Sequence, residues 1–369
     1  MTIAILAPLW VLNVVYGLAG RCNRAASAAL LGALILVSAG NSNNLDSANY
    51  VVTYYELAGY DLQGIEPGFI AVMRGARLLG LDYAGFRMIC VVVTLASIYA
   101  AVHRLGGNTN YALACYTLYP FFFDAIQLRY SLASGIALLG IAELVAARRH
   151  NLLRFLVLIL AAASLHWMTV IYLLFLAARL HRPAVLRLLA AIGVGLSFFA
   201  AAYGEGLGWI GSAASDLGGI GRRASYFETR AQLGFFLLAG FHIAMIALAH
   251  RLVRLLRPEA DAPAVAREPT ELSAAEHIYS FLVASLLLLP LYALNINFWR
   301  PTRGIVVALV ALIGAQQLTP GTDRQRVALR VWGAFLIVAL FVAQLLPIWD
   351  GAVMPFLVDN WLIDAYFAW

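Results

Sequence analysis

Five arginines lie where a largely apolar chain is not expected to carry charge. Arg129 directly precedes the apolar stretch "YSLASGIALLGIAEL", Arg222 and Arg223 follow a glycine-rich segment, and Arg300 and Arg303 flank the start of another apolar run. A charge near a bilayer core is costly, so an arginine there usually has a function. Guanidinium groups bind phosphates bidentately and stay charged when desolvated. Convergence of these arginines on one cavity would favour a diphosphate or another polyanionic ligand.

Two residues could act as a base beside such a ligand: Glu66 and His166. Asp46 stands at a predicted helix start, and Glu66 precedes a Pro-Gly step, where it either caps a helix or faces a cavity as an acid or base. His166 interrupts an apolar run, either as a hydrogen-bonded structural residue or as a base. Asp124 precedes Arg129 and is either its structural ion-pair partner or a second carboxylate of the site.

Polar and aromatic residues near these groups could contact a sugar or a phosphate. Tyr50 and Tyr54 recur at helical spacing, either as anchors at the membrane interface or as stacking surfaces for sugars, and Gln127 lies beside Arg129 in the sequence. The chain contains no phosphate-binding glycine loop, no paired-aspartate metal motif and no HExxH sequence. We therefore expect no metal and no cofactor.

The elements that must position these residues are predicted to be membrane helices. Hydrophobic residues make up 63% of the 369 residues, charged residues only 12%, and the mean hydropathy is +0.82. Recurring apolar runs predict an all-α, polytopic membrane protein that forms a single integral membrane domain over residues 1–369. About twelve transmembrane helices are expected, at 3–19, 25–40, 84–103, 109–123, 130–147, 152–165, 167–180, 184–203, 231–250, 275–295, 302–318 and 329–348.

The distribution of arginine predicts the orientation of these helices. All 25 basic residues are arginine, and 16 of them fall in alternate short loops on one side of the predicted membrane, which assigns those loops to the cytoplasm and both termini to the outside. The outer segments are then 41–83, with short amphipathic helices, 204–230 and 349–369, while 257–273 is a cytoplasmic linker. We attribute the net charge of +6 to arginines in these predicted cytoplasmic loops, and therefore expect no nucleic-acid partner.

Four stretches together resemble the EpsG family of Wzy-like bacterial polysaccharide polymerases. They are "LDSANYVVTYYELAG", "EPGFIAVMRGARLLGLDYAGF", "QLRYSLASGIALLGIAEL" and "LVLILAAASLHWMTVIYLL". The positions that match the motifs of the family are Asp46, Tyr50, Tyr54, Glu66, Arg129, Ala133 and His166. The chain departs from the usual pattern at Tyr130, where glutamine is common, and at Trp167, where a small residue is common.

The resemblance implies a lipid-diphosphate-dependent glycosyltransferase. Such an enzyme polymerises exopolysaccharide, capsule or O-antigen repeat units by moving a growing glycan from undecaprenyl diphosphate to a lipid-linked acceptor, on the outer face of the bacterial inner membrane. Its partners would be undecaprenyl-diphosphate-linked oligosaccharides, membrane lipid, and a chain-length regulator or flippase of the same pathway. The expected catalytic residues are Asp46, Glu66, Arg129 and His166. The expected substrate-binding residues are Tyr50, Tyr54, Gln127, Arg129, Arg222, Arg223, Arg300 and Arg303.

Two other functions fit a polytopic protein of this composition. A lipid-linked oligosaccharide flippase usually shows two similar halves and charges through the full depth of the bundle, neither of which the sequence displays. An O-antigen ligase-type glycosyltransferase is chemically closer. The glycan that accumulates in a deletion strain distinguishes the three: exposed single units for a polymerase, internal single units for a flippase, and free polymer for a ligase.

Overall fold

Every regular element in the described part of the chain is helical, as expected from the sequence. The computed structural model describes residues 2–41, 43–56, 64–145, 150–179, 182–203, 232–257, 269–294, 296–315 and 323–363. Its α-helices are α1 (Thr2–Leu18), α2 (Arg24–Ala39), α3 (Ser47–Tyr55), α4 (Pro67–Leu78), α5 (Tyr83–Arg104), α6 (Thr109–Leu118), α7 (Phe121–Ile126), α8 (Leu128–Val145), α9 (Asn151–Leu165), α10 (Leu174–Arg179), α11 (Pro183–Tyr203), α12 (Gln232–Leu256), α13 (Pro269–Ala284), α14 (Leu289–Leu294), α15 (Arg300–Ala315), α16 (Asp323–Gln344), α17 (Trp349–Ala352) and α18 (Met354–Val358). Short 3-10 helices occupy Trp167–Leu173, Ser285–Leu288, Ile296–Trp299 and Leu346–Ile348.

The described helices include six stretches that are long and apolar enough to cross a membrane. They are Tyr83–Arg104, Leu128–Val145, Gly234–Leu256, Leu272–Tyr292, Asn297–Ala315 and Arg324–Ala352. Shorter apolar helices occupy Thr2–Leu18, Arg24–Ala39, Asn151–Leu165, Trp167–Ala178 and Pro183–Phe198. The chain is therefore a membrane protein, but the predicted count of about twelve transmembrane helices is not confirmed.

Two of the predicted membrane helices are broken in the structure. The one predicted at 109–123 forms α6 and α7 on either side of Pro120, a residue that lacks the backbone N–H needed to continue a helix. The one predicted at 167–180 begins as a 3-10 helix after His166, which ends α9 in extended conformation (φ −156°, ψ 115°). In both places the helix is interrupted near a candidate residue, which is Asp124 after Pro120 and His166 before the 3-10 helix.

The centre of the bundle consists of α8 and α15, which are the most buried of the candidate membrane helices. Close packing of α8 on α5 depends on Gly135, where a Cβ atom would lie 2.9 Å from the carbonyl oxygen of Thr94. The N-termini of α8 and α15 lie at the same end of the bundle, because Arg303 Nη2 donates to Gln127 Oε1 at 2.6 Å. This end holds most of the candidate residues.

Two short helices, α3 and α4, lie in the segment 41–83 that was predicted to contain them. They have 9 and 12 residues, too few to cross a bilayer. Tyr54 of α3 is fully buried, stacks on Phe86 of α5 with ring centroids 5.0 Å apart, and donates its hydroxyl to the Leu81 carbonyl. We therefore assign Tyr54 a packing role that fixes α3 to α5.

The opposite end of the bundle contains a buried carboxylate, Glu143, that binds two arginines. Its oxygens pair with Arg104 and, at 3.2 Å, with Arg154. The predicted segment 204–230, with Arg222 and Arg223, lies outside the described residues, as do residues 258–268 of the predicted linker 257–273. The last residues of that predicted linker already belong to α13, which begins at Pro269.

Candidate functional site

Glu66 and Arg129 form a close ion pair at the end of the bundle where α8 begins. Glu66 Oε2 lies 2.8 Å from Arg129 Nη1, and the two side chains are 5% and 22% exposed. The other carboxylate oxygen, Oε1, accepts the backbone N–H of Trp167 at 3.1 Å. Glu66 precedes α4 but makes no side-chain capping hydrogen bond with that helix. Of the two readings of this carboxylate, the helix cap is therefore wrong.

Backbone geometry around α4 brings Glu66 to Arg129. Gly64 adopts φ +85°, a conformation that glycine tolerates, and its carbonyl accepts a second hydrogen bond from Arg129 Nη1 at 3.1 Å. Gly68, in the first turn of α4, lies so close to α9 that a Cβ atom would be 2.6 Å from the Ser164 carbonyl oxygen. The Pro-Gly step thus lets the start of α4 approach α9, and with it the Trp167 N–H.

Arg129 retains an unused donor in this arrangement. Its backbone N–H donates to the Tyr50 hydroxyl at 3.4 Å, and its Nη1 is shared between Glu66 and Gly64. Its Nε is buried and has no hydrogen-bond acceptor among the described residues. Arg129 therefore keeps one N–H donor that no described residue uses.

Asp46, at the start of α3, adds a second carboxylate to this group of residues. Burial raises its pKa above the ordinary value, while the positive charges of Arg300 and then Arg129 act in the opposite direction. Burial also raises the pKa of the nearby Tyr50 hydroxyl to about 12, so that Tyr50 stays protonated. The structure therefore brings together Asp46, Glu66, Arg129 and Arg300 from four separate parts of the sequence.

Arg300 and Arg303, one turn apart on α15, have different environments. Arg300 is half-buried and donates to the Asn297 side chain at 2.6 Å. Arg303 is 3% exposed, donates to Gln127, and has its guanidinium carbon 4.8 Å from the centroid of the Phe123 ring. Arg300 is thus accessible to a ligand, whereas Arg303 and Gln127 form an internal contact between α15 and the start of α8.

His166 lies next to the site but its ring contacts the protein interior. It is 5% exposed, its Nδ1 accepts the Met168 N–H at 3.3 Å, and its ring meets the Tyr130 ring edge-on with centroids 5.2 Å apart. The chain connects His166 directly to Trp167, whose N–H binds Glu66. His166 therefore shapes the turn that presents this N–H.

Asp124 is not the ion-pair partner of Arg129, although their closeness in sequence suggested that pairing. The Tyr116 hydroxyl donates to Asp124 Oδ2 at 3.0 Å, and the arginine charge that acts on Asp124 is that of Arg303. Asp124 thus has the Tyr116 hydroxyl as its hydrogen-bond partner and is influenced by the charge of Arg303. The predicted Asp124–Arg129 pair is therefore wrong, since Arg129 pairs with Glu66.

Sequence reasoning missed one contributor to the site and left the role of one arginine outside the predicted cytoplasmic loops unassigned. The contributor is the backbone N–H of Trp167, because sequence patterns carry no information on which amide a distant carboxylate will reach. The arginine is Arg87, which is 1% exposed and donates to the carbonyls of Ser38 and Ala125, thereby tying α5 to α2 and α7. Its place at the start of a long apolar helix, away from the predicted cytoplasmic loops, was the available signal.

The geometry allows binding of a polyanion, with a carboxylate nearby that could accept a proton. Within the described residues, no group of three histidines, cysteines or carboxylates could hold a metal ion. Among the described residues of the site, Arg129 and Arg300 supply positive charge.

Comparison with known proteins identifies the family. The family model described as "EpsG family" matches residues 27–259, which include Asp46, Glu66, Arg129 and His166 and end before Arg300. No curated protein and no solved structure matches the chain. The match covers more than half of the chain, from α2 to the end of α12. The chain belongs to the EpsG family, which indicates a membrane protein of the polysaccharide-polymerase type.

Proposed function

We propose that this chain is a glycosyltransferase that polymerises exopolysaccharide, capsule or O-antigen repeat units carried on undecaprenyl diphosphate. It would act in the bacterial inner membrane with both termini outward and its site facing the periplasm or cell exterior. The observation that carries this proposal is the Glu66–Arg129 pair, with an unpaired buried donor on Arg129 and with Arg300 and Asp46 beside it. Membership of the family supplies the reaction class.

The arginines would bind the diphosphate of the donor. When the acceptor hydroxyl attacks the anomeric carbon of the donor glycan, the bond from that carbon to the diphosphate oxygen breaks, and negative charge builds up on the leaving diphosphate. Fixed positive groups stabilise such charge at no reorganisation cost. Arg300 and Arg129 are both close enough to Asp46 for their charges to lower its pKa. They are the pair we assign to the leaving group.

Asp46 is the residue we assign as the base that takes the proton from the acceptor hydroxyl. Both oxygens of Glu66 are already engaged, Oε2 in the ion pair with Arg129 and Oε1 as acceptor of the Trp167 N–H, so Glu66 is better suited to hold the arginine in place. The ring of His166 is engaged with Met168 and Tyr130. Burial raises the pKa of Asp46, which makes its carboxylate a stronger base than an exposed aspartate.

Gln127 and Arg303 would act by positioning. Their 2.6 Å hydrogen bond joins the starts of α8 and α15, the two helices that present Arg129 and Arg300. A shift between these helices would alter the distance between the two ligand-binding guanidinium groups. Tyr50 would act in the same way, through its contact with the Arg129 backbone.

The test is complementation of a deletion strain with Arg129→Ala, with Arg74→Ala as matched control. Arg74 is an exposed arginine on α4. The Arg129 variant should leave single repeat units on the lipid carrier, exposed on the outer face, while the Arg74 variant restores polymer. Normal polymer from the Arg129 variant would contradict the proposal. Single units trapped on the inner face would indicate a flippase, and free polymer a ligase.

A further inference from the structure

A cleft between α12 and α16 lies far from the site described above. Its volume is about 580 Å³, within the range of ligand-binding cavities. The residues that line it are Ala247, His250, Arg251, Arg254, Leu255 and Gln325. Most of these side chains are polar or basic, although the cleft is formed by two predominantly apolar helices.

The positive charge of this cleft is not balanced within the described residues. No described carboxylate lines it or pairs with Arg251 or Arg254. The next arginine along the chain, Arg257, does have a partner, since its Nη2 lies 3.1 Å from an oxygen of Glu276. Two adjacent unpaired guanidinium groups therefore face a cavity that could hold an anion.

Exposed apolar side chains follow directly below the cleft on both helices. Ile243 precedes His250 by two helical turns on α12, and Trp332 follows Gln325 by two turns on α16, so each lies on the same helix face as its cleft residue. Ile243 is 59% exposed and Trp332 is 57% exposed. Both lie roughly 10 Å further along the helices, towards the middle of the bundle.

We propose that this cleft binds an anionic phospholipid, with its phosphate on Arg251 and Arg254 and its acyl chains over Ile243 and Trp332. Basic pockets between membrane helices are suited to anionic headgroups. A soluble phosphate would use the two arginines only, whereas a phospholipid also covers the apolar surface that continues from the cleft. The combination of both features favours the lipid.

This lipid site is distinct from the Glu66–Arg129 site because the two lie at opposite ends of the bundle. The chain passes from the cleft end through α13 and α14 to Arg300, and then returns through α15 to the start of α16 at Asp323. The start of α13 is fixed near the cleft end of α12 by the Arg257–Glu276 pair. Arg300 therefore marks the far end, and the proposed lipid site stands independently of the proposed enzymatic function.

The test measures retention of phosphatidylglycerol and of phosphatidylcholine by the purified full chain, using native mass spectrometry in detergent. Arg251→Gln/Arg254→Gln should lower phosphatidylglycerol affinity about thirtyfold, the contribution expected of two basic residues at an anionic headgroup. Arg182→Gln/Arg187→Gln is the matched control, because both arginines are exposed and lie outside the cleft. Equal retention by the two double variants would overturn the proposal.

Two further measurements separate a lipid from a soluble anion and from a folding defect. Millimolar inorganic phosphate should leave phosphatidylglycerol bound, and Trp332→Ser should weaken retention while both arginines remain. Displacement by phosphate, or full retention by the Trp332 variant, would overturn the lipid assignment. Arg251→Lys/Arg254→Lys keeps both charges and should retain the lipid several times better than the glutamine variant; equal loss in the two variants would count against binding by charge.

Discussion

Replacing Glu66 by glutamine tests whether this carboxylate holds Arg129 in place. The substitution removes the negative charge 2.8 Å from Arg129 Nη1, while the amide oxygen of glutamine can still accept the Trp167 N–H. Breaking a fully buried ion pair costs about 3–5 kcal/mol, and a charge-assisted hydrogen bond contributes about 1.5–3 kcal/mol. Because Arg129 is 22% exposed and keeps the Gly64 carbonyl, we expect a loss of about 2–3 kcal/mol of stability.

The partner substitution, Arg129→Gln, should cost more. It leaves the Glu66 carboxylate, which is 5% exposed, without the positive charge of Arg129, while the Trp167 N–H still donates to it. The double variant Glu66→Gln/Arg129→Gln removes both charges together, so its loss should be about 2 kcal/mol smaller than the sum of the single losses. The free energy of unfolding, measured by denaturant titration in detergent micelles, gives this coupling energy.

A second cycle on Arg257 and Glu276 is the control for this measurement. Their pair has a similar distance of 3.1 Å, but the side chains are 64% and 31% exposed. Solvent screening should limit its coupling to less than about 1 kcal/mol. Additive losses at Glu66 and Arg129, or coupling no larger than that of the exposed pair, would refute the view that Glu66 fixes the guanidinium group.

Three other substitutions test the remaining parts of the site. Gly68→Ala should destabilise the protein by about 1–3 kcal/mol in thermal unfolding and shorten the polymer, because the added Cβ atom would meet the α9 backbone. Gly75→Ala is the control and should have neither effect, since no atom lies within 4 Å of the position of its Cβ. Asp46→Asn should lower the polymerisation rate about 100-fold or more. In the unmutated enzyme the rate should fall as the pH drops through the raised pKa of Asp46, because the protonated carboxyl cannot act as a base. A rate that stays constant through the weakly acidic range would show that Asp46 is not the base. Gln127→Ala should leave Arg303 without its 2.6 Å acceptor, lowering both stability and polymer yield, and unchanged yield would contradict its positioning role.

Much of the helical framework could be predicted from the sequence, because hydrophobic runs and turn residues act locally. The predicted helix at 84–103 corresponds to Tyr83–Arg104, and the one at 25–40 to Arg24–Ala39. Local signals failed where a helix is interrupted inside an apolar run, as at Pro120. Apolar composition there reflects burial within the protein, since every residue of Thr109–Thr117 is buried.

The composition of the site was easier to predict than its pairing. Arg129, Glu66 and Asp46 each stood out as charged residues in an apolar chain, and the structure gathers them. The choice of partner depends on how α4 enters the bundle, which Gly68 and its contact with α9 decide. Sequence proximity therefore suggested Asp124 as the partner of Arg129, while the fold selected Glu66, 63 residues earlier along the chain.

The ion pair also explains how an arginine can be held at the site and still bind a ligand. A guanidinium group has five N–H donors. In Arg129 the ion pair with Glu66 and the hydrogen bond to Gly64 both use Nη1, and Nε has no acceptor within the described chain, so a phosphate could bind the opposite edge without displacing Glu66. The ion pair also weakens phosphate binding, because the carboxylate of Glu66 cancels much of the positive charge that would attract the phosphate. A second cation is therefore needed in the proposed enzyme, and Arg300, which also acts on Asp46, is the residue placed to supply it. It follows that Arg300→Gln should weaken donor binding more strongly than Arg303→Gln, since Arg303 is 3% exposed and its guanidinium group is engaged with Gln127.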